Sequence, residues 1–103
     1  MNLRGKQKRF LRAKANRMRP LFSIGKEGLS DTWLTQVNDA LNRRELMKVN
    51  ILQNSAVEPQ DVEEFVAANS EIQVVQKIGR TVLLFKIADQ AKYRHVSEEV
   101  KQV

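Results

Sequence analysis

Residues 21–30 have the sequence Leu21-Phe22-Ser23-Ile24-Gly25-Lys26-Glu27-Gly28-Leu29-Ser30. Its apolar start predicts a short strand, and the two glycines predict a tight loop that another molecule can approach closely, because glycine has no side chain and tolerates positive φ. Ser30 is a typical N-cap residue and predicts a helix that begins at Asp31. The first N–H groups of a helix lack partners and attract anions. The stretch therefore predicts a strand, a glycine loop and a helix N-terminus that together bind phosphate, with Lys26 at the tip of the loop.

The composition limits the classes of protein that remain. A chain of 103 residues, 42% of them hydrophobic, can form one domain with its own core. Cysteine is absent, which excludes disulfides, thiolate metal sites and a cysteine nucleophile and fits a cytoplasmic location. The longest apolar run, Val82–Phe85, is too short to cross a bilayer, and the basic N-terminus lacks the apolar segment of a secretory signal. We therefore expect no membrane partner.

The charges are unevenly distributed along a chain whose net charge is +6. Residues 1–20 contain no acid, and their basic residues are Arg4, Lys6, Lys8, Arg9, Arg12, Lys14, Arg17 and Arg19. Residues 57–70 contain no base, and their acids are Glu58, Asp61, Glu63 and Glu64. This distribution predicts one surface that binds a polyanion and another that repels it.

The order of elements predicts an α/β fold. Hydrophobic periodicity and capping signals predict helices over about Arg4–Met18, Asp31–Arg43 and Pro59–Asn69. They predict strands over Leu21–Ile24, Glu45–Leu52, Ile72–Ile78 and Thr81–Ala88. The two-residue connection Gly79-Arg80 favours an antiparallel hairpin, whereas the helices between the earlier strands favour parallel pairing. The prediction is a single two-layer αβαβαββ domain over residues 1–103. Its sheet is mostly parallel, its core covers about 1–90, and a polar tail at about 91–103 is loose or briefly helical.

The first helix has two distinct faces. Lys8, Arg9, Arg12 and Arg19 lie on one of them at 100° per residue. Eight cations without an acid repel one another and do not stabilise a helix, so binding to a partner explains them better than a merely solvated surface. Trp33 could stack on a nucleic-acid base, but its place in an apolar stripe favours the core.

The sequence contains no recognisable catalytic or cofactor motif. His95 is the only histidine and falls in the polar tail, where we expect a solvated imidazole. The acids of the third helix lack further ligands at metal spacing. The loop from Gly25 to Gly28 has neither Walker A nor dinucleotide-fingerprint spacing, and a bare GxxG is often only a turn. We expect no catalytic residue, metal, cofactor or small-molecule substrate.

Four segments resemble one known family. They are Gly5–Ala13 with the Pro20 that closes its helix, Ile24–Ser30 with the glycine loop, Glu45–Val49, and Gln76–Arg80 before the last strand. In order and separation they resemble the CRM domain (chloroplast RNA splicing and ribosome maturation) in its standalone bacterial form, the YhbY family. The resemblance covers about residues 1–90.

The resemblance implies a non-catalytic RNA-binding domain. Its fold is similar to the C-terminal domain of bacterial translation initiation factor three, with a four-stranded mixed sheet whose last strand is antiparallel to the rest, and it resembles KH domains in using a GxxG loop. It implies ribosomal RNA in precursors of the large ribosomal subunit as the partner, and a role in ribosome assembly. The residues expected to contact RNA are Lys6, Lys8, Arg9, Arg12, Arg19, Gly25, Lys26, Glu27 and Gly28.

Three points remain open at this stage. Glu27 places an acid in the loop, which either weakens the attraction for phosphate or points into solvent. An adaptor that docks acidic protein surfaces through the basic helix is the alternative function. A small enzyme that uses Lys26 is disfavoured, because no base or orienting partner accompanies that lysine.

Overall fold

The structure is a computed structural model that describes all 103 residues. Its α-helices are α1 (Gly5–Ala15), α2 (Asp31–Arg44), α3 (Pro59–Asn69) and α4 (Val96–Lys101), and a 3₁₀ turn covers Ala91–Tyr93. Its strands are β1 (Phe22–Ile24), β2 (Leu46–Ile51), β3 (Gln73–Ile78) and β4 (Thr81–Phe85). The three long helices and four strands predicted from the sequence are all present. The first helix is shorter than predicted, and α4 is the short helix that the sequence allowed for in the tail.

Local capping explains why α2 and α3 begin where predicted. The Ser30 side chain accepts a hydrogen bond from the backbone N–H of Trp33 at 3.1 Å, as an N-cap does. Pro59 occupies the first turn of α3, and Asp61 accepts a hydrogen bond from the N–H of Glu58 at 2.8 Å. At the other end of α2, Glu45 adopts the left-handed conformation with φ 64° and turns the chain directly into β2.

The four strands form one mixed sheet in the order β1-β2-β4-β3. As predicted, β4 runs antiparallel to the other three strands. The prediction of a mostly parallel sheet is wrong at the level of neighbours, because β4 lies between β2 and β3 and leaves β1–β2 as the single parallel pair. The tight Gly79-Arg80 turn makes β3 and β4 antiparallel neighbours, and pairing of β4 with β2 then leaves β3 at the edge of the sheet.

Helices cover both faces of the sheet, so the domain has three layers and not the two predicted. On the first face, α2 and α3 pack on Ile24, Val49 and Val82. Trp33 is 7% exposed in this core, with its ring centroid 6.3 Å from that of Phe65, which confirms its predicted packing role. On the second face, the buried residues are Leu11, Ala15, Leu46, Val75, Leu83, Phe85, Val96 and Val100.

The third layer depends on the C-terminal segment. This segment was predicted to be a polar tail, yet it packs against α1 through two buried valines, Val96 and Val100. The buried carboxylate of Glu45 fastens it by accepting hydrogen bonds from the backbone N–H groups of Ala88, His95 and Ser97 at 2.8–3.0 Å. The His95 side chain itself is exposed, as expected. No helix is long and apolar enough to span a membrane.

Candidate nucleic-acid interface

Helix α1 lies on the second face with its charges outward. Gln7, Leu11 and Ala15 are buried at intervals of four residues and hold the helix to the sheet. Gln7 is the polar member of this stripe; its side chain donates to the carbonyl of Val100 and accepts from the N–H of Arg4. The orientation of α1 is therefore set by both the core and α4, and the basic residues are left at the surface.

Two of the eight N-terminal cations have partners within the fold. Lys14 forms an ion pair with Glu99 of α4 at 3.0 Å, and Arg4 donates to the carbonyl of Val103 at 2.7 Å. The other six cations form no ion pair or side-chain hydrogen bond; they are Lys6, Lys8, Arg9, Arg12, Arg17 and Arg19. Lys8 and Arg12 are half-buried, and the other four are exposed. Their positive field is consequently not neutralised locally.

The glycine loop is a β-turn that continues from β1. The N–H of Gly28 donates to the carbonyl of Gly25 at 3.0 Å, so Lys26 and Glu27 form the exposed tip. Gly28 has φ 74°, whereas Gly25 does not adopt a positive φ. The Gly28 N–H therefore closes the turn and is not one of the free amides of the loop.

Other amides near the loop remain free for an anion. The backbone N–H groups of Lys26, Glu27, Leu29 and Ser30 form no hydrogen bond within the protein. The N-cap hydrogen bond from Ser30 satisfies Trp33 but leaves the first two amides of α2 open. Asp31 adds an acid at the first position of α2, which already complements the positive end of the helix. The anion-binding capacity of the loop thus depends on backbone amides, since Lys26 is opposed by Glu27 and Asp31.

Arg80 supports the loop from behind. Its guanidinium donates to the carbonyls of Ile51, Leu52, Ser55 and Val57 at 3.0–3.4 Å and so fixes the connection between β2 and α3. That connection contacts the loop: a Cβ placed on Gly25 would lie 3.7 Å from a methyl of Leu52, and one on Gly28 would lie 3.5 Å from a methyl of Val57. The guanidinium has no carboxylate partner. Arg80 therefore positions the loop and adds an uncompensated charge behind it.

The structure places four of the nine predicted residues on α1 (Lys6, Lys8, Arg9 and Arg12) and four in the loop that follows β1 (Gly25, Lys26, Glu27 and Gly28). Arg19 lies in the segment between α1 and β1, because the helix ends earlier than predicted. The structure also directs Arg80 to the β2–α3 connection next to the loop, although the sequence placed Arg80 in a hairpin turn and in a family-resembling segment and gave it no role at the site. The missed signal was a long cation in a two-residue turn without a neighbouring acid. No group of three His, Cys, Asp or Glu side chains is arranged to hold a metal ion.

A mixed sheet with helices on both faces, a basic helix and a loop with free backbone amides define a small α/β domain with a candidate nucleic-acid surface. Residues 3–86 match the model of the CRS1 / YhbY (CRM) domain. The chain belongs to this CRM domain family, as its motifs had indicated.

Two related proteins match most of the length of the chain, and one solved structure shares its fold. The chain is 46% identical over 90 residues to the probable RNA-binding protein YqeI of Bacillus subtilis, covering 87% of this chain and 94% of the relative. It is 30% identical over 87 residues to an RNA-binding protein of Haemophilus influenzae, covering 84% and 88%. The solution structure of a Staphylococcus aureus protein, described as a candidate RNA-binding protein, matches with a TM-score of 0.72 and 34% identity over 91% of this chain and 98% of that one. The likeness to that structure establishes the predicted fold.

Proposed function

We propose that this protein is a non-catalytic, cytoplasmic RNA-binding protein that binds ribosomal RNA in precursors of the large ribosomal subunit and assists their assembly. Its two contact regions are the cations of α1 and the glycine loop. The proposed contacts in the N-terminal segment are Lys6, Lys8, Arg9 and Arg12 of α1 and Arg19 after it, and the proposed loop contacts are Gly25, Lys26, Glu27 and Gly28. Membership of the CRM family and the RNA-binding names of its relatives support RNA as the partner.

The observation that carries the proposal is the set of six unpaired cations on α1 and in the segment that follows it. Four of them lie on α1 itself, where like charges repel one another and do not stabilise the helix. A phosphate backbone neutralises them and releases its own counterions, which makes binding favourable and salt-dependent. The loop then adds a backbone contact that fixes the position of the RNA strand without reading its sequence.

A salt titration of RNA binding tests whether the cations of α1 supply the salt-dependent part of the affinity. The triple variant Lys8→Ala/Arg9→Ala/Arg12→Ala should bind an in vitro transcript of large-subunit ribosomal RNA more weakly, and each lost phosphate contact should reduce the log–log salt slope by about 0.7–0.9. The matched control is Arg43→Ala/Arg44→Ala/Lys92→Ala, which removes the same charge at the far end of α2 and in the 3₁₀ turn. The control should keep nearly the wild-type slope.

Three outcomes would contradict the proposal at different levels. Wild-type protein that binds no RNA at low salt would reject RNA as the partner and leave docking to acidic protein surfaces through α1. Equal loss of slope in both triple variants would mean that net charge alone governs binding. Crosslinking in cells that recovers no large-subunit ribosomal RNA would reject the proposed target while leaving RNA binding intact.

A further inference from the structure

The second face of the sheet is only half covered by helices. At one end, Leu46 of β2 pairs with Phe85 of β4, and both are buried beneath α1 and α4. At the other end, the register aligns Ser23, Asn50, Thr81 and Ile78 in one row across all four strands. Every residue of this row is exposed or half-buried. We call this row, with Lys48 and Gln76 from the row beside it, the open strip.

The side chains of the open strip are suited to a polar ligand that has apolar parts. The Ser23 hydroxyl donates to the Asn50 side chain at 2.6 Å, which leaves the Asn50 NH₂ group and the Thr81 hydroxyl free. Lys48 forms no ion pair, and the strip contains no acid. Ile78 is 52% exposed and gives the strip an apolar side chain at its β3 edge.

The strip is bordered by the two proposed RNA contacts. Gln7 and Lys14 of α1 contact α4, and at 100° per residue Lys8 and Arg12 fall on the opposite flank of α1. This flank faces away from α4, and α4 does not cover the strip; we therefore take Lys8 and Arg12 to face the strip. At the other border, the glycine loop begins at Gly25, two residues after Ser23.

We propose that an unpaired segment of RNA lies along the open strip between α1 and the glycine loop. Its phosphates contact Lys8, Arg12, Lys48 and the loop amides, while its riboses and bases contact Ser23, Asn50, Thr81 and Ile78. The inference rests on the proposed RNA binding and adds the ligand's form and the surface that recognises it. Short side chains on a sheet can contact the 2′-hydroxyls and the exposed base edges of a single strand. In a duplex the base edges pair with the other strand and are not available to these side chains.

A binding comparison of three probes tests this surface. The probes are a single-stranded oligoribonucleotide of about 12 nucleotides, the same sequence as DNA, and the RNA annealed to its complement. Wild-type protein should prefer the single-stranded RNA. The variant Ser23→Ala/Asn50→Ala/Thr81→Val should bind that RNA about 10-fold more weakly, the effect of losing one to three hydrogen bonds, and its preference for RNA over DNA should shrink. Its salt slope should remain unchanged, because no phosphate contact is removed.

The control Thr35→Val/Gln36→Ala alters two exposed polar residues of α2, which packs on the opposite face, and should bind as wild type does. Amide chemical shifts of the unaltered protein provide a second measurement: Ser23, Asn50 and Thr81 should move when the oligoribonucleotide is added. A folded strip variant with wild-type affinity, or a wild-type protein whose strip amides do not move, would overturn this inference while the α1 proposal stands. Equal affinity of the wild type for duplex and single strand would also overturn it. Absence of any RNA binding by the wild type would instead reject the proposed function itself.

Discussion

At the scale of single residues, the two loop glycines have different reasons to be glycine. Gly28 has φ 74°, a left-handed conformation that is costly for residues with a Cβ. Gly25 has no such φ, and a Cβ there would make only an ordinary contact with Leu52. The backbone conformation therefore favours glycine at position 28 but gives no reason for glycine at position 25, where we propose that RNA approaches the loop.

Two alanine variants should separate these roles. Gly28→Ala should lower the free energy of unfolding by about 1–2 kcal/mol, the cost of a Cβ in the left-handed region. Gly25→Ala should leave stability unchanged or raise it by up to about 1 kcal/mol, because alanine restricts the unfolded chain. Denaturant titrations measure both effects, and filter binding should show weaker RNA binding for Gly25→Ala. Wild-type RNA affinity in a stable Gly25→Ala protein would mean that RNA does not approach the backbone at that position.

At the scale of elements, the position of the glycine loop depends on the β3–β4 turn. That turn presents Arg80, whose guanidinium donates to the carbonyls of the β2–α3 connection, and Leu52 and Val57 of that connection lie next to Gly25 and Gly28 of the loop. The Arg80 side chain thereby links the β3–β4 turn to the β2–α3 connection and, through that connection, to the glycine loop. The planar fork of arginine suits this role, since it donates in several fixed directions at once.

Replacement of Arg80 should loosen the loop more than the fold. We expect Arg80→Lys to retain the charge but lose most of the carbonyl hydrogen bonds, and Arg80→Met to lose both. Hydrogen exchange at the Leu29 and Ser30 amides should accelerate in both variants, and RNA affinity should fall in both. If Arg80→Lys binds RNA as wild type does while Arg80→Met does not, Arg80 contributes only charge and does not position the loop.

At the scale of the whole molecule, Glu45 joins the two cores. It ends α2 in the first core, precedes β2, and accepts hydrogen bonds from the segment that leads into α4 in the second. Burial acts to raise the pKa of this carboxyl, but contacts with Ser97 and hydrogen bonds from the backbone N–H groups of Ser97, Ala88 and His95 outweigh it and hold the pKa below its ordinary value of 4.5. The ionised form of Glu45 thus stabilises the assembled domain.

This carboxylate predicts a stability loss in acid. Since its pKa is lower in the folded protein than in the unfolded chain, its contribution is complete above about pH 4.5 and disappears as the pH falls through the folded value. Glu45→Gln should be less stable than wild type by about 1.5–3 kcal/mol at neutral pH, as expected for lost hydrogen bonds to a charged group. The difference between the two proteins should narrow in acid, as thermal melts at several pH values would show.

The control for this measurement is Glu64→Gln, which alters an exposed acid on α3 without an ion pair. It should track the wild type at every pH. The pKa of Asp89 is also lowered, because the Lys86 side chain donates a hydrogen bond to it. Asp89 is present in the wild type and in both variants, so it does not contribute to the differences in stability between them. A Glu45→Gln protein as stable as wild type at neutral pH would show that the C-terminal segment is held by its valines alone.

The sequence by itself determined the features that depend on near neighbours. The Ser30 cap, the start of α3 at Pro59, the tight Gly79-Arg80 turn and the core stripe with Trp33 follow from capping, φ preferences and periodicity, which act over a few residues. The unbalanced charge of residues 1–20 is likewise a property of composition.

Only the tertiary structure decided the features that join distant segments. It inserted β4 between β2 and β3, packed α4 beside α1, paired Lys14 with Glu99, and directed Arg80 to the β2–α3 connection. These arrangements depend on which surfaces meet, and no local pattern records that an acid at position 99 lies beside a lysine at position 14. Burial of Val96 and Val100 selects the arrangement because it removes apolar surface that α1 and the sheet cannot cover alone.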